Sequence, residues 1–336
     1  MEISKELREI LEKKYRENSI KTFAGSVKKV CKEVFKREYD AKLLEDTNKV
    51  LAYVKTLEKI SSQKNTLAGV LAFVKAEQTN PQVIKVYEDH FKTLGQASAN
   101  LQQYKEPTED EKCNYIPFAE VIKLRDEHAQ TLSNYKIDEL EQSNKLKEAT
   151  LFQKTVFEKY LVLCLYTYVP PLRGEEWHDA VIEEVADPGS YSVIIEARKK
   201  NIIDLTHKKL VVERYKTSDI HGTRIIDLPD ELVKVIKMSR EINNGDPNLL
   251  INYASCKPMT SQCLTKFLQS IFYPKKISST LLRKIYISEQ TSKLSVDQRK
   301  KLAHIMGHSL SSQEFLYSTF RDKTNSKTLH NGKRTN

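Results

Sequence analysis

The sequence predicts a mainly helical α+β protein, with an N-terminal helical bundle followed by a domain of helices and a small antiparallel sheet. Three observations predict this class. Apolar residues recur every three or four positions through about residue 105, which is the spacing of amphipathic helices. Between residues 181 and 228 the period changes to two, as in β-strands. After Pro229 the helical spacing returns.

The N-terminal part is predicted to be a bundle because its apolar stripes follow one another with short breaks. The clearest stripe steps through Ile20, Phe23, Val27, Val30 and Val34. A polar residue followed by proline at 80–81 begins a further helix. The periodicity then weakens, and a domain linker is expected near residues 96–112. Residues 1–105 are therefore predicted to form the first domain.

A second domain is predicted over residues 106–320. A long helix runs from about 147 to 168 and stops at Pro170-Pro171, which places Arg173 just past a helix end. Strand-like segments follow at 181–182, 191–195, 210–215 and 224–228. Helices resume after Pro229, and the polar, basic segment 321–336 is expected to be a flexible tail.

Composition and charge restrict the kinds of ligand and site that the chain can have. The 336 residues carry 55 Lys and Arg against 45 Asp and Glu, a net charge of +10, so phosphates are the first ligands to consider. The nine glycines are too scattered to form a phosphate-binding glycine loop. The five cysteines form no C-x-x-C pair, which indicates free thiols in a reducing compartment and no zinc site. The longest uncharged run, residues 160–172, is too short to span a bilayer.

Four short motifs in the second half fit a single reaction when they are taken together. They are Leu172-Arg173-Gly174-Glu175-Glu176, Tyr215-Lys216-Thr217, Leu282-Arg283-Lys284 and Met306-Gly307-His308-Ser309, the last followed by Tyr317. In this order and spacing the set resembles the catalytic residues of tyrosine recombinases and integrases, which share their chemistry with type IB topoisomerases. The amino-acid sequence in and around these motifs is most similar to that of integrases of virophages and large DNA viruses. The resemblance covers roughly residues 150–320, and the N-terminal half resembles the family's SAM-like core-binding domain in type only.

The resemblance assigns a role to each motif residue. Tyr317 is the expected nucleophile, because a tyrosine hydroxyl conserves the phosphodiester energy as a covalent bond. Arg173 and Arg283 would hold the non-bridging oxygens of the phosphorane through charge-assisted hydrogen bonds. Lys216, on a predicted hairpin tip, would protonate the departing 5′ oxygen, and His308 would hydrogen-bond the phosphate or transfer a proton.

Two further positions complete the expected site. Glu176, three residues after Arg173, would fix the Arg173 guanidinium, and it matches the acidic position after the first catalytic arginine. The histidine that many family members carry three residues before the second arginine is Thr280 here. Threonine can donate a hydrogen bond to phosphate but cannot take a proton from tyrosine at neutral pH. Either His308 or water would then accept that proton, or the enzyme is slower, or Arg283 is misassigned.

Additional basic residues are expected to contact DNA. In the N-terminal domain Lys21, Lys28, Lys32 and Lys36 follow helical spacing opposite the apolar stripe. Such a row is either a solvated face or a track for the DNA backbone. His221 and Arg224, in the predicted hairpin, are the other two candidates, with a solvated turn as the alternative. His304 and His308 have metal-ligand spacing, but no acid or cysteine completes a site, so no metal is expected.

The resemblance implies a site-specific recombinase that cleaves and rejoins duplex DNA through a 3′-phosphotyrosine and integrates or excises a mobile or viral genome. No cofactor is expected, and the implied partners are double-stranded DNA and further copies of the chain, as a tetramer on DNA. The implied location is intracellular, at DNA, in the cytoplasm or nucleus of a host if the chain is viral. Two alternatives remain: a type IB topoisomerase, and a non-catalytic DNA-binding protein on the same fold.

Overall fold

The computed structural model describes residues 4–15, 17–103, 106–215, 217–314 and Phe320. The chain divides into two units, Met1–Tyr104 and Lys105–Asn336. The described residues are mainly helical with a small sheet, as the sequence predicts. None of their helices is both long and apolar enough to cross a membrane.

The first unit is a helical bundle. Its helices are α1 (Lys5–Glu12), α2 (Glu17–Val30), α3 (Thr47–Thr56), α4 (Ile60–Ala76) and α5 (Pro81–Gln103). Helix α4 is central and packs against α2 and α5. A Cβ on Gly69 would lie 3.1 Å from the Phe23 carbonyl oxygen, so the missing side chain lets α4 approach α2 closely. Helix α5 also continues through the first part of the linker predicted at 96–112.

The second unit begins with α6 (Glu109–Asn114), α7 (Phe118–Asn134), α8 (Ile137–Gln142) and α9 (Leu151–Thr167). Helix α9 lies in the middle of the core, with Leu161, Leu163 and Leu165 all buried. Residues 161–166 are apolar and buried on every face of the helix, and α7 and α13 (Asp230–Ile242) pack against α9. Thr150 caps its start, and it ends just before Pro170-Pro171.

The main sheet has four strands in the order β1 (Ala180–Glu183), β2 (Asn201–Asp204), β3 (Lys209–Val212) and β4 (Arg224–Asp227). Strand β1 pairs with β2 in parallel, and the other two pairings are antiparallel. The prediction of a purely antiparallel sheet is therefore wrong at its first pairing. A separate two-stranded hairpin is formed by β5 (Ile251–Asn252) and β6 (Lys257–Pro258).

The segment predicted as a strand at 191–195 is helical, and this explains the parallel pairing. Parallel neighbours need a crossover, and α11 (Tyr191–Arg198) supplies it between β1 and β2. Its β-branched residues suggested a strand, but Tyr191 and Ile195, one helical turn apart, bury against the sheet, while Val193 is exposed. Strand β2, which the sequence pattern did not predict, is buried at all four positions.

Short and long helices complete the unit and position the motif residues. They are α10 (Gly174–His178), α12 (Ser218–His221), α14 (Ser261–Ile271), α15 (Ser279–Gln290), α16 (Val296–Ile305) and α17 (Leu310–Ser312). Arg173 caps the start of α10, Arg283 lies in the second turn of α15, and His308 follows the end of α16.

Candidate active site

The end of α16 is the centre of the candidate site. Gly307 has φ +65°, the left-handed conformation that commonly ends a helix. The Gly307 N–H donates to the His304 carbonyl at 3.0 Å and the His308 N–H to the Ala303 carbonyl at 3.1 Å, which is a Schellman motif. This turn leaves the carbonyls of residues 305, 306 and 307 without partners within the helix.

Each of these three consecutive carbonyls accepts hydrogen bonds from a different arginine. Arg224 Nη1 lies 2.5 Å from the Ile305 oxygen, and Arg283 Nη2 lies 2.9 Å from the Met306 oxygen. Arg173 donates from Nη1 and Nη2 to the Gly307 oxygen at 3.1 and 3.2 Å. The negative end of the α16 dipole favours this arrangement of cations. The fold thus gathers three guanidinium groups from distant parts of the chain.

Arg173 is oriented by its neighbour Glu176. The Glu176 carboxylate accepts the Arg173 backbone N–H at 2.9 Å and lies 3.4 Å from Arg173 Nη1. Pro170-Pro171 ends α9, so the chain can turn and begin α10 with Glu176 at its third position. The contact expected between these two residues is therefore present. The Arg173 side chain remains 20% exposed, unlike that of the buried Glu176.

Arg283 and His308 form the buried part of the site. Arg283 is 1% exposed; its Nη1 donates to the Pro171 carbonyl at 3.0 Å, and its Nη2 lies 3.1 Å from His308 Nδ1. Because arginine can only donate, Nδ1 must be the acceptor and the imidazole proton is assigned to Nε2. Nε2 lies 3.4 Å from Gln313 Oε1. Burial, reinforced by the Arg283 charge, lowers the pKa of His308 to about 3, so the imidazole is neutral.

Thr280 lies in the first turn of α15 and is exposed. A Cβ on Gly174 would lie 3.5 Å from the Ser279 hydroxyl oxygen, so this turn is close to the start of α10, next to Arg173. Lys216 and Tyr317 lie outside the residues that the structure describes. Among the described residues, no group of three His, Cys, Asp or Glu side chains is arranged to hold a metal ion.

The structure places the two hairpin candidates differently from each other. His221, at the end of α12, is half-buried. Arg224 is completely buried, with Nη2 2.6 Å from Glu176 Oε1 and Cζ 3.9 Å from the centre of the Tyr215 ring. The described conformation therefore does not present Arg224 to DNA, unlike the surface contact expected from the sequence. The inward positions Ile226 and Leu228 alternate with it, and that period of two could have indicated its burial.

Two polar partners of the site were not predicted from the sequence. Thr217 Oγ1 donates to the Gly307 carbonyl at 3.1 Å, so the residue after Lys216 shares an acceptor with Arg173. Gln313, fully buried, faces His308. Thr217 belongs to a motif already noted, whereas nothing in the sequence singles out Gln313.

The basic residues of the first unit lie on its surface. Lys21, Lys28, Lys32 and Lys36 are all exposed. Lys28, Lys32, Lys36 and Arg37 line one concavity of about 540 Å³, which Glu33 and Glu38 also line. A π-helical turn over Cys31–Phe35 follows α2, and Lys36 ends it with φ +53°. Lys21 pairs with Glu17 at 3.3 Å and Lys36 with Glu33 at 3.9 Å, so acidic neighbours offset part of the charge.

Comparisons with known proteins found few similarities. No family model and no curated protein matches the chain. Among solved structures, the crystal structure of XerA recombinase is similar with a TM-score of 0.42 and 15% identity, over 98% of each chain. The Tn1549 transposon integrase in complex with transposon right-end DNA is similar with a TM-score of 0.40 and 14% identity, over 92% of this chain and 97% of that one. Both TM-scores are below 0.5 and both identities are below 25%, so the functional proposal depends on the chain's own residues.

Proposed function

We propose that the chain is a site-specific tyrosine recombinase that cleaves and rejoins duplex DNA. One observation carries the proposal: Arg173, Arg283 and His308, from three separate motifs, converge on the turn at residues 306–308. The sequence motifs resemble the catalytic set of that class, and their convergence is what that chemistry requires.

The charge of the cluster suits a phosphodiester. The cluster contains three arginines, of which Arg173 and Arg224 contact the Glu176 carboxylate, so it is positive overall. Arg173, which is partly exposed, would meet a phosphate first. Its two Nη atoms now share the Gly307 oxygen, and a phosphate oxygen offers the same fork a stronger, charged acceptor. Arg283, buried beneath, supplies positive charge at a site with little water to screen it.

The neutral His308 suits the role of a hydrogen-bond donor better than that of a base. A group whose conjugate acid has a pKa near 3 accepts a proton poorly at neutral pH. Its Nε2–H now points toward Gln313 at 3.4 Å, a long contact that a phosphate oxygen could replace. Of the two roles expected for His308, its low pKa therefore supports binding of the phosphate, and water is left to accept the tyrosine proton.

The proposed reaction uses two residues outside the described part of the chain. The Tyr317 hydroxyl oxygen attacks the scissile phosphorus and loses its proton to water, while the bond from phosphorus to the 5′ oxygen breaks. Lys216 gives the departing 5′ oxygen a proton, which leaves a 3′-phosphotyrosine and a 5′-hydroxyl. Attack by the 5′-hydroxyl of a second duplex reverses the steps and completes strand transfer. Thr217, the residue after Lys216 in the sequence, donates to the Gly307 carbonyl.

The remaining parts of the proposal concern the DNA and the assembly. Residues 1–105 would act as a core-binding domain, residues 106–320 as the catalytic domain and residues 321–336 as a tail. The exposed Lys28, Lys32 and Lys36 would hold the DNA backbone in a salt-sensitive manner. Recombination between two duplexes would need several copies of the chain, expected as a tetramer on DNA. Integration or excision of a mobile or viral genome is the proposed biological role.

Covalent trapping tests the proposal directly. Wild type, Tyr317→Phe and Tyr273→Phe are incubated with nicked suicide substrates, on which the 5′ end is lost after cleavage, and adducts are separated on a denaturing gel. Tyr273 is 85% exposed and outside the cluster, so it is the matched control. We expect adducts with wild type and Tyr273→Phe and none with Tyr317→Phe. An adduct formed by Tyr317→Phe excludes Tyr317 as the nucleophile.

Plasmid relaxation and adduct formation together separate the alternatives. Relaxation of supercoiled plasmid without a recombination site would favour a type IB topoisomerase. Absence of any adduct from wild type would favour a non-catalytic DNA-binding protein, with the exposed Thr280 in place of histidine as the physical reason. In that case Thr280→His is expected to produce measurable cleavage.

A further inference from the structure

Arg224 occupies the interior of the second unit at a junction of three segments. Its side chain is 0% exposed and emerges from the inward face of β4. Nη2 donates to Glu176 Oε1 at 2.6 Å, and Nη1 donates to the Ile305 carbonyl at 2.5 Å. One planar guanidinium therefore joins the start of α10 to the end of α16.

Two further contacts fix the plane of this guanidinium. The Tyr215 ring stacks on it, with Cζ 3.9 Å from the ring centre, and the Tyr215 hydroxyl donates to the Gly222 carbonyl at 2.7 Å. On the other side lies Gly307, where an added Cβ would be 2.9 Å from Cζ. The guanidinium is thus held between the aromatic ring and the bare backbone of the Gly307 turn.

These contacts connect Arg224 to the partly exposed Arg173 and to the buried Arg283 of the proposed site. Glu176, which Arg224 holds on one oxygen, contacts Arg173 through the same carboxylate. The Ile305 carbonyl, which Arg224 also holds, immediately precedes the Met306 and Gly307 carbonyls that receive Arg283 and Arg173. Loss of Arg224 would leave Glu176 and the 305–307 turn free to shift together.

We propose that Arg224 is a positioning residue that sets Arg173 and the 305–308 turn for phosphate binding, rather than a contact to DNA. This inference rests on the proposed function and deepens it. A displacement of about 1 Å in a site of this kind can cost roughly 100-fold in rate. Lysine is expected to be a poor replacement, because a single ammonium cannot bridge Glu176 and the Ile305 carbonyl with a planar fork.

The test compares Arg224→Met and Arg224→Lys with Arg214→Met. Arg214 is the matched control because it lies on the same hairpin, is 45% exposed and pairs with Asp179 at 3.9 Å. Three quantities are measured for each variant: the dissociation constant for duplex DNA as a function of salt, the single-turnover rate of covalent adduct formation, and the hydrogen exchange rates of the Gly307 and His308 amides without DNA.

For both Arg224 variants we expect a fall of about 100-fold in the adduct rate, an unchanged dissociation constant and salt slope, and faster exchange of the Gly307 and His308 amides. Arg214→Met should change none of these. In an Arg173→Lys background, Arg224→Met should lower the adduct rate much less than it does in wild type. Both changes disturb the same interaction, the binding of the phosphate by the Arg173 guanidinium.

Three results would overturn the inference. A salt slope reduced by about one, with weaker binding, would make Arg224 a phosphate contact. Additive losses in the Arg173→Lys background would indicate general damage to the fold. Unchanged amide exchange would show that Arg224 does not hold the turn. If wild type forms no adduct, the proposed function fails instead, and the amide exchange rates alone decide whether Arg224 positions the turn. If Arg224→Met does not fold, the same measurements are made on Arg224→Lys.

Discussion

Arg224 and Glu176 form an ion pair in which neither side chain has any exposure to solvent. A buried pair adds little to stability compared with apolar residues, but breaking it leaves one uncompensated charge inside the protein. This pair lies at the point where strand β4, the start of α10 and the end of α16 meet. Its place suggests that it fixes geometry rather than adds stability.

Removal of the Glu176 charge should therefore be costly. Glu176→Gln keeps the shape but leaves Arg224 buried without its carboxylate, and we expect the free energy of unfolding to fall by about 3 kcal/mol. Glu184→Gln is the control, because the Glu184–Arg240 pair lies on the surface and should contribute less than about 1 kcal/mol. Chemical denaturation measures both. Equal losses for the two variants would contradict a structural role for the buried pair.

Gly307→Ala should destabilise the fold more than a glycine substitution at another helix end. Alanine at Gly307 meets an unfavourable positive φ and also places Cβ 2.9 Å from Arg224 Cζ. Gly245, after α13, has φ +81° and nothing within 4 Å of an added Cβ, so Gly245→Ala isolates the backbone cost of about 1 kcal/mol. We expect Gly307→Ala to exceed that by about 1–3 kcal/mol in denaturation experiments. Equal costs would mean that Arg224 moves aside without resistance.

Glu158 should make stability fall as pH rises. Its buried carboxylate accepts the Ile251 N–H at 3.1 Å and lies 3.3 Å from the Tyr253 hydroxyl, yet burial raises the pKa of Glu158 to about 8. An unfolded glutamate titrates near 4.3, so the folded state binds more protons between about pH 4.3 and 8. The stability advantage is present below that window and is lost through it.

The measurement is the free energy of unfolding of wild type minus that of Glu158→Gln between pH 5 and 8. This difference should decrease steadily with pH, because glutamine keeps the amide-sized polar group but does not ionise. A difference that stays constant with pH would show that Glu158 is ionised in the folded state at low pH or that water reaches it.

His308 should produce the opposite pH dependence. Burial lowers the pKa of His308 to about 3, below the value near 6.5 of an unfolded histidine, so the unfolded state binds more protons between these values. The stability is fully present above about pH 6.5 and is lost as pH falls toward 3. His308→Asn, whose side-chain oxygen can accept from Arg283 in place of Nδ1, should remove this slope in denaturation experiments from pH 4 to 7. An imidazole NMR titration of wild type with a midpoint near 6.5 would contradict the prediction.

The lysine row should control the salt dependence of DNA binding. If Lys28, Lys32 and Lys36 neutralise phosphates, each change to glutamine should lower the slope of log affinity against log salt by about 0.9. Lys85, exposed on α5, is the control and should leave the slope unchanged. Fluorescence anisotropy with a labelled duplex at several salt concentrations gives the slopes. Equal slopes for all variants would show that these lysines form a solvated face and do not contact DNA phosphates.

Local sequence patterns were sufficient to predict the helices and strands that depend on neighbouring residues. The helices of the first unit, the stop of α9 before Pro170-Pro171 and the strands near 181, 210 and 224 follow from apolar period and from proline. The Arg173–Glu176 contact also follows, because residues three apart at a helix start are neighbours. The roles of Lys216 and Tyr317 stay predictions, since both lie outside the described residues.

Sequence by itself thus determined the mainly helical class, the order of the motifs and the residue types of the proposed phosphate site. Only the tertiary structure decided that 191–198 is a crossover helix, that Arg224 is buried against Glu176, and that burial keeps His308 neutral. Each depends on contacts between segments far apart in the chain, such as Arg173 with the Gly307 carbonyl. Periodicity and spacing report only on near neighbours, whereas burial and electrostatics depend on what the fold brings against a side chain.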